Sequence, residues 1–494
     1  MHSIQQNSVS KVFSQTSDDD KPVLKIGLFG IGLDTYWPQF EGLKQRLSGY
    51  LQIVEQSLEK PYTSVINLGI IDNAQHAIKA GHQFRQADVE IIFIYATTYA
   101  LSATVLPVVR RLGVPVVILN LSPAPAIDYA RINSMNDRTR MTGEWLAFCG
   151  SCPVPEIMNV LKRSGIAAYQ VTGMLHGDPI VWEQIDEWIE ASRVANSMSY
   201  NNLGLLGNYY NGMLDIYSDP TLQLITFGGN VTILEVDELS ALREAVGMLA
   251  IQDKVSEFYE RFDIQADCSI YELERSARTS VALDQLVDRH ELGSLAYYHK
   301  GTGNPSNEDT MSSIILGTSL LTARGIPVAG EYEIKNVQAM KIMDCFGVGG
   351  SFTEYYAMDY TDDVVLMGHD GPGHIQIAQG KTKVRPLEVY HGKVGSGLSV
   401  EMSVRNGPVT MLSVVETNAG KLMLLVAEGE SVEGPILEIG NTNSRYRFSP
   451  GARAFVELWN GHGPAHHCAV GIGHIGSRLK KLGEILKIDV VQIC

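Results

Sequence analysis

The sequence predicts an α/β chain: two doubly wound parallel-sheet domains followed by a mainly antiparallel, β-barrel-like C-terminal domain. Three observations predict it. Short unbroken apolar runs alternate with amphipathic stretches through the first 175 residues, the same alternation recurs to about residue 345, and beyond residue 360 the apolar period falls to two. The expected organisation is a polar tail over 1–20, domains over 21–175 and 176–345, and a β-rich domain over 346–494.

In the first domain the apolar runs Val23–Phe29, Val65–Ile71, Val89–Tyr95 and Val114–Leu121 read as strands. Their continuity fits strands covered on both faces. Phe40–Leu58 between the first two reads as a helix, with Leu43, Leu47, Leu51, Val54 and Leu58 at three- and four-residue steps. Strands separated by helices pair in parallel, because a parallel neighbour requires a crossover. The second set takes Leu203–Leu206, Gln223–Phe227 and Ser294–His299 as strands and Glu238–Leu249, Tyr271–Arg289 and Met311–Arg324 as helices. In the third region Leu398, Val400, Met402 and Val404 alternate with Ser399, Glu401, Ser403 and Arg405, which predicts a strand with one wet face. Asn406-Gly407 then reads as a hairpin turn. Lys421–Ala427 reads as a further strand after the turn residues Asn418 and Gly420, Arg478–Lys487 as a helix and Asp489–Ile493 as a last strand.

Composition narrows the function classes. A hydrophobic fraction of 45% is ample for packed cores and excludes a disordered chain. With 39 basic against 55 acidic residues, the net charge of −16 disfavours nucleic acid and anionic membrane as partners, and no basic patch offsets it. Six cysteines form no disulfide framework and are expected to be reduced thiols of a cytoplasmic protein. Residues 1–20 lack a basic start and an apolar stretch, so they read as a mobile tail and not a signal peptide. Ile91–Val109 is uncharged over nearly a membrane's span, but Thr97, Thr98, Ser102, Thr104 and Pro107 dilute it, and it reads as strand, loop and short helix.

Several motifs bear on chemistry. Gly27-Leu-Phe-Gly30-Ile-Gly32 follows a strand but lacks the third glycine of a dinucleotide loop, so it reads as a turn beside a pocket. Tyr36 and Trp37 just beyond it are candidates to stack on a sugar, or are core residues. Cys149-Gly-Ser-Cys152 has the spacing of a redox pair or of half a zinc site, and no second pair completes the latter. In the last third, Glu331 in Val-Ala-Gly-Glu-Tyr-Glu, Glu354 in Gly-Gly-Ser-Phe-Thr-Glu-Tyr-Tyr, His369 in Leu-Met-Gly-His-Asp, and His466-His467 in Gly-Pro-Ala-His-His each follow a glycine-bearing turn or an apolar strand. Two carboxylates and one or two imidazoles without thiolate make a candidate site for Mn²⁺ or Mg²⁺.

In this order, these four segments resemble the L-arabinose isomerase family, which shares a superfamily with the L-fucose isomerases; the chain reads as a distant member. The family carries Gly-Glu-Gly, Gly-Gly-Thr-Ser-Phe-Met-Glu-Asp-Tyr, Gly-Ser-His and Gly-Gly-Ala-His-His in the same order. The resemblance implies that Glu331, Glu354, His369 and His467 ligate a divalent cation, usually Mn²⁺ (alternatively Mg²⁺ or Co²⁺). It further implies that Glu331 and Glu354 move protons, that His466 lies beside the sugar, and that the protein is a homo-oligomer, a trimer or hexamer. Where the family has Gly-Ser-Gln-His-Leu-Tyr-Gly and His-Thr-Gln-Phe-Asn, this chain has Gly30-Ile-Gly-Leu-Asp-Thr-Tyr36-Trp37 and Asn120-Leu-Ser-Pro-Ala-Pro. The implied reaction is therefore aldose–ketose isomerisation through a cis-enediol, on a pentose or 6-deoxyhexose such as L-arabinose, with the sugar left open. The competing expectation is a sugar-binding or sensor protein without catalysis.

Overall fold

A computed structural model describes residues 23–388 and 395–494. The chain divides into two compact units, one ending at Asn196 and the other running from Ser197 to Cys494. The polar tail predicted over 1–20 lies outside the described residues.

The first unit is a five-stranded sheet of β1 (Leu24–Ile31), β2 (Thr63–Ile71), β3 (Ile91–Tyr95), β4 (Val116–Ser122) and β5 (Ala168–Met174), in the order β2-β1-β3-β4-β5 and parallel throughout. All five residues of β3 are buried, the signature of a strand covered on both faces. The helix Leu43–Leu58 buries the five apolar residues whose spacing predicts it. After β3 come a turn of 3₁₀ helix at Ser102–Thr104 and a short helix, Leu106–Val109, as the dilution of that apolar stretch predicts. No helix among the described residues is long and apolar enough to cross a membrane.

The second unit has two layers that matter for function. Its parallel sheet contains β6 (Asn202–Gly207), β7 (Asn230–Leu234), β9 (Ser294–Tyr298) and β10 (Val328–Ala329), in the order β10-β9-β6-β7. The short strand β8 (Asp263–Ile264) pairs instead with β13 (Lys383–Glu388), which also pairs with β14 (Ser396–Glu401). The other layer consists of β11 (Gly349–Asp359), β12 (Val364–His369), β15 (Gly407–Glu416), β16 (Leu422–Val432), β17 (Thr442–Phe448) and β18 (His467–Ile472). They pair antiparallel in the order β15-β18-β11-β12-β17-β16, and β16 pairs back to β15, so the sheet closes into a six-stranded barrel. The last strand, β19 (Asp489–Gln492), adds in parallel to β16. The barrel core gathers Val365, Met367, Met411, Leu425, Tyr446, Phe455 and Val470. The helix Ile334–Cys345 packs against β9 and β10 on one side and against β11, β15 and β18 on the other. Being covered on every side, it buries polar Lys335, Asn336 and Gln338 along with its apolar residues.

Five local expectations are corrected. Gln223–Phe227 belongs to a helix, Pro220–Phe227: Asp219 caps it through the Thr221 amide and Pro220 sits in its first turn, and these start signals outweigh the apolar run. Glu238–Leu249 and Met311–Arg324 are each interrupted, the first at Gly247 and the second around Ser313. Asn406-Gly407 turns no hairpin, because β14 pairs with β13 while β15 pairs with β16 and β18. The wet face expected of β14 is dry: Ser399 and Glu401 are buried, and the Glu401 carboxylate is met by Lys383, Arg385 and the Gly440 amide.

Candidate active site

The site forms where the carboxyl edge of the second parallel sheet meets the middle of β11 and the adjoining ends of β12 and β18. From the sheet comes Glu331, two residues beyond β10. Glu331 and Tyr332 are consecutive non-glycine residues in the left-handed region, with φ of 58° and 62°. That conformation costs about 1–2 kcal/mol per residue and persists where surroundings enforce it, commonly at functional sites. Here the Tyr332 amide donates to Tyr297 O at 3.0 Å, the Glu333 amide donates to Gly330 O at 3.1 Å, and the buried Tyr332 ring packs on Tyr209. The tight turn sets Glu331 above the sheet edge before the helix Ile334–Cys345 begins.

The barrel supplies the rest through its register. Glu354 on β11 is the cross-strand partner of His467 on β18 and, on its other side, of Gly368 on β12. Paired residues on antiparallel strands share a face, so Glu354 and His467 stand side by side, with His369 one residue beyond Gly368. A Cβ on Gly368 would lie 1.8 Å from Thr442 O, so only glycine fits there. The adjacent His369 amide donates to Thr442 Oγ1 at 2.9 Å, which fixes the strand end. Phe352, two residues before Glu354, is fully buried, and its ring lies 4.2 Å from that of His369 and 4.4 Å from that of His467, centroid to centroid.

The side-chain termini converge. His467 Nε2 lies 3.5 Å from Glu331 Oε2 and 3.9 Å from Glu354 Oε2, and His369 Nε2 lies 4.0 Å from Glu331 Oε1. His466 Nε2 lies 3.7 Å from Glu331 Oε2 and 3.9 Å from Glu354 Oε2. Two overlapping sets, Glu331–His466–His467 and Glu354–His369–His467, bring their candidate ligand atoms within 4.8 Å of one another. The structure thus gathers five of the sequence-predicted residues: Glu331, Glu354, His369, His466 and His467.

Whether these residues suit a cation is decided at His467. Its Nδ1 is held by Glu333 Oε2, and both side chains are buried. A carboxylate accepts, so Nδ1 carries a proton, and in the neutral ring Nε2 then presents its lone pair. That Nε2 is buried and makes no hydrogen bond among the described residues, yet it faces two carboxylate oxygens. A lone pair directed at anionic oxygens at this separation fits a shared cation, and a carboxylate behind the ring is the usual outer support of a ligating histidine. The donor set fits a divalent metal.

His466 is held in the same way from a different side. Its main-chain amide donates to Asp215 Oδ2 at 3.0 Å, and its Nδ1 meets the same oxygen at 2.6 Å. Burial opposes a charge on His466, but the bonds to Glu331 and Asp215 outweigh it and push its pKa up to about 9. Burial likewise opposes the Asp215 charge, and the two bonds from His466 outweigh it and lower its pKa.

Tyr36 and Trp37 lie in the other compact unit, after β1. Trp37 Nε1 donates to Asp72 Oδ2 at 2.9 Å, and the Tyr36 ring packs edge-on against Trp37 and Phe40. Cys149, in the same unit, is buried, and Cys152 is exposed. Burial, followed by the neighbouring Cys152 thiol, pushes the Cys149 thiol up to about 11, the opposite of the lowering that a reactive thiolate requires. Sequence reasoning missed two participants, Glu333 and Asp215. Glu333 carried a faint signal, standing two residues after Glu331 in the same motif. Asp215 carried none.

Comparison with known proteins bears on one end of the chain. Residues 378–494 match the family model described as L-fucose isomerase, C-terminal domain. The match covers part of the barrel, including the strand that carries His467. No curated protein sequence matches. Among solved structures, a carbohydrate transporter from Acidothermus cellulolyticus 11B in complex with myo-inositol aligns over 66% of this chain and 99% of that one, at 13% identity and a TM-score of 0.15. At that TM-score the likeness carries no argument.

Proposed function

We propose that the protein is a divalent-metal-dependent aldose–ketose isomerase acting on a pentose or 6-deoxyhexose through a cis-enediol. The observation that carries this reading is the convergence of Glu331, Glu354, His369 and His467 around a buried, unbonded imidazole nitrogen. The fucose isomerase C-terminal match over 378–494 supports it independently. The full proposal takes Mn²⁺ as the ion, a homo-oligomeric assembly and a cytoplasmic location.

Glu331, Glu354, His369 and His467 would hold the ion. The chemistry a bound divalent cation supplies is Lewis-acid stabilisation of the negative charge that develops on neighbouring sugar oxygens. The protein's own groups then have three tasks. One of the two glutamates takes the weakly acidic C2 proton, and the pair returns a proton at C1. The O2 proton passes to O1, so the hydrogens balance and only the carbonyl has moved. Glu331 is the drier of the two, its side chain 9% exposed against 31% for Glu354. Glu333 holds the His467 ring, and Phe352 closes the floor beneath His369 and His467. His466, beside both glutamates, faces the sugar.

The test is ketose formation by protein stripped with chelator and then supplied with Mn²⁺, assayed on L-arabinose, L-fucose, D-arabinose and related aldoses. Ketose is expected from at least one sugar, and only after metal is restored. Thermal stabilisation by sugars with no ketose under Mn²⁺, Mg²⁺ or Co²⁺ would overturn the proposal in favour of a binding protein.

A further inference from the structure

Two adjacent histidines in the site are each held at Nδ1 by a carboxylate, and the two carboxylates come from different places. Glu333, at the start of the helix Ile334–Cys345, serves His467. Asp215 serves His466 from the segment between β6 and the helix Pro220–Phe227, 251 residues earlier in the chain. His466 needs such a hold more than His467 does. His467 begins a paired strand, whereas His466 ends the loop after the helix Ala452–Gly461, which turns through Gly463 at φ 67°. Its side chain is 36% exposed, while that of His467 is fully buried.

Asp215 is itself anchored. The buried Lys335 donates through Nζ to its main-chain carbonyl. The same segment is pinned by Ser218 Oγ donating to Glu416 Oε2 at 3.0 Å, by Tyr209 OH donating to Ser218 O at 3.2 Å, and by the Tyr209 ring on Tyr332. One carboxylate oxygen of Asp215 therefore ties both the backbone and the ring of His466 to a braced segment. Nε2 is thereby turned toward Glu331 and Glu354 and not toward solvent.

We propose that Asp215 is a positioning residue: it acts through His466 alone, orienting that imidazole beside the reacting carbons of the sugar, and takes no part in holding the metal. The role assigned to the sugar rests on the isomerase reading above, whereas the Asp215–His466 tether does not.

A double-mutant cycle tests it, using Asp215→Ala, His466→Ala, the double variant and Asp215→Asn. An asparagine oxygen can still accept from both His466 donors. On the wild-type background Asp215→Ala is expected to lower kcat/KM about 10–100-fold, the order of loss when a positioned group is misplaced by about an ångström. On the His466→Ala background it is expected to change kcat/KM by less than about threefold, because the residue it acts through is gone. Asp215→Asn should recover most of the loss, and Mn²⁺ affinity by calorimetry should stay within about threefold of wild type in Asp215→Ala. An equal loss on both backgrounds, or a fall in Mn²⁺ affinity parallel to the fall in kcat/KM, would overturn the proposal. Urea midpoints of the metal-free variants read the tether separately. If the wild type makes no ketose, the isomerase reading fails, and the tether is then judged on the midpoints: non-additive shifts uphold it and additive shifts refute it.

Discussion

Glu354 and His467 face each other across adjacent antiparallel strands, and their side chains reach toward the same point, with Glu354 Oε2 3.9 Å from His467 Nε2. The pairing register sets this relationship, so it does not depend on a loop conformation. Glu331 joins from the parallel sheet at 3.5 Å. Carboxylates from two differently built layers thus meet at one imidazole.

Replacing either carboxylate by its amide keeps the shape and removes the proposed base. Glu331→Gln and Glu354→Gln should each lower turnover by about 10²–10⁴-fold with Mn²⁺ present, while the far-ultraviolet circular dichroism stays native. A variant that keeps a near-native rate at saturating Mn²⁺ would refute the role given to that glutamate.

Glu333 meets the nitrogen of His467 that faces away from the proposed ion. Glu333→Ala should weaken Mn²⁺ binding about 10–100-fold by calorimetry, because the His467 Nδ1 proton then has no acceptor to fix the tautomer and the ring. Unchanged affinity would mean that His467 is not a ligand.

Gly368 has no room for a side chain, with Thr442 O 1.8 Å from where a Cβ would stand. Gly368→Ala should destabilise the barrel by about 1–3 kcal/mol in denaturant unfolding, a typical cost of overpacking. It should also disturb His369, the next residue. A neutral Gly368→Ala would show that β12 and β17 separate without cost.

Asp72, in the first unit, predicts an acid limb. Burial raises its pKa, but the bonds from Trp37, Lys44 and His76 outweigh this and hold the carboxyl below its ordinary 3.8. A depressed folded value means that the charged form stabilises the fold above about pH 4 and that this contribution disappears as pH falls through the lower folded value. The thermal midpoint of the wild type should therefore drop more steeply than that of Asp72→Asn below about pH 4. Parallel curves would refute the assignment.

What the sequence disclosed follows from which signals are local. The strands β1, β3, β4, β6 and β9 were legible because they are buried almost throughout and read as unbroken apolar runs, as Ile91–Tyr95 does, whereas the partly exposed β5 and β7 were not. The helix Leu43–Leu58 was legible because one face is buried. The four site motifs were legible because glycines at Gly330, Gly349, Gly350, Gly368 and Gly463 answer to local backbone demands. The pairing of β14 was not, since its neighbour β13 precedes it and the Asn406-Gly407 signal speaks only of adjacent residues. The dry face of β14 was also hidden, because the partners that neutralise Glu401 come from other segments. Asp215 was invisible for the same reason: its partner lies 251 residues away.

A ring of strands has no outermost member that can peel away first. Because β18, β11 and β12 are consecutive staves of that ring, loosening either seam between them shifts Glu354 against His467 or His369. The proposed activity and barrel integrity should therefore vanish together on heating, making the rate of ketose formation a gauge of whether the hoop is intact.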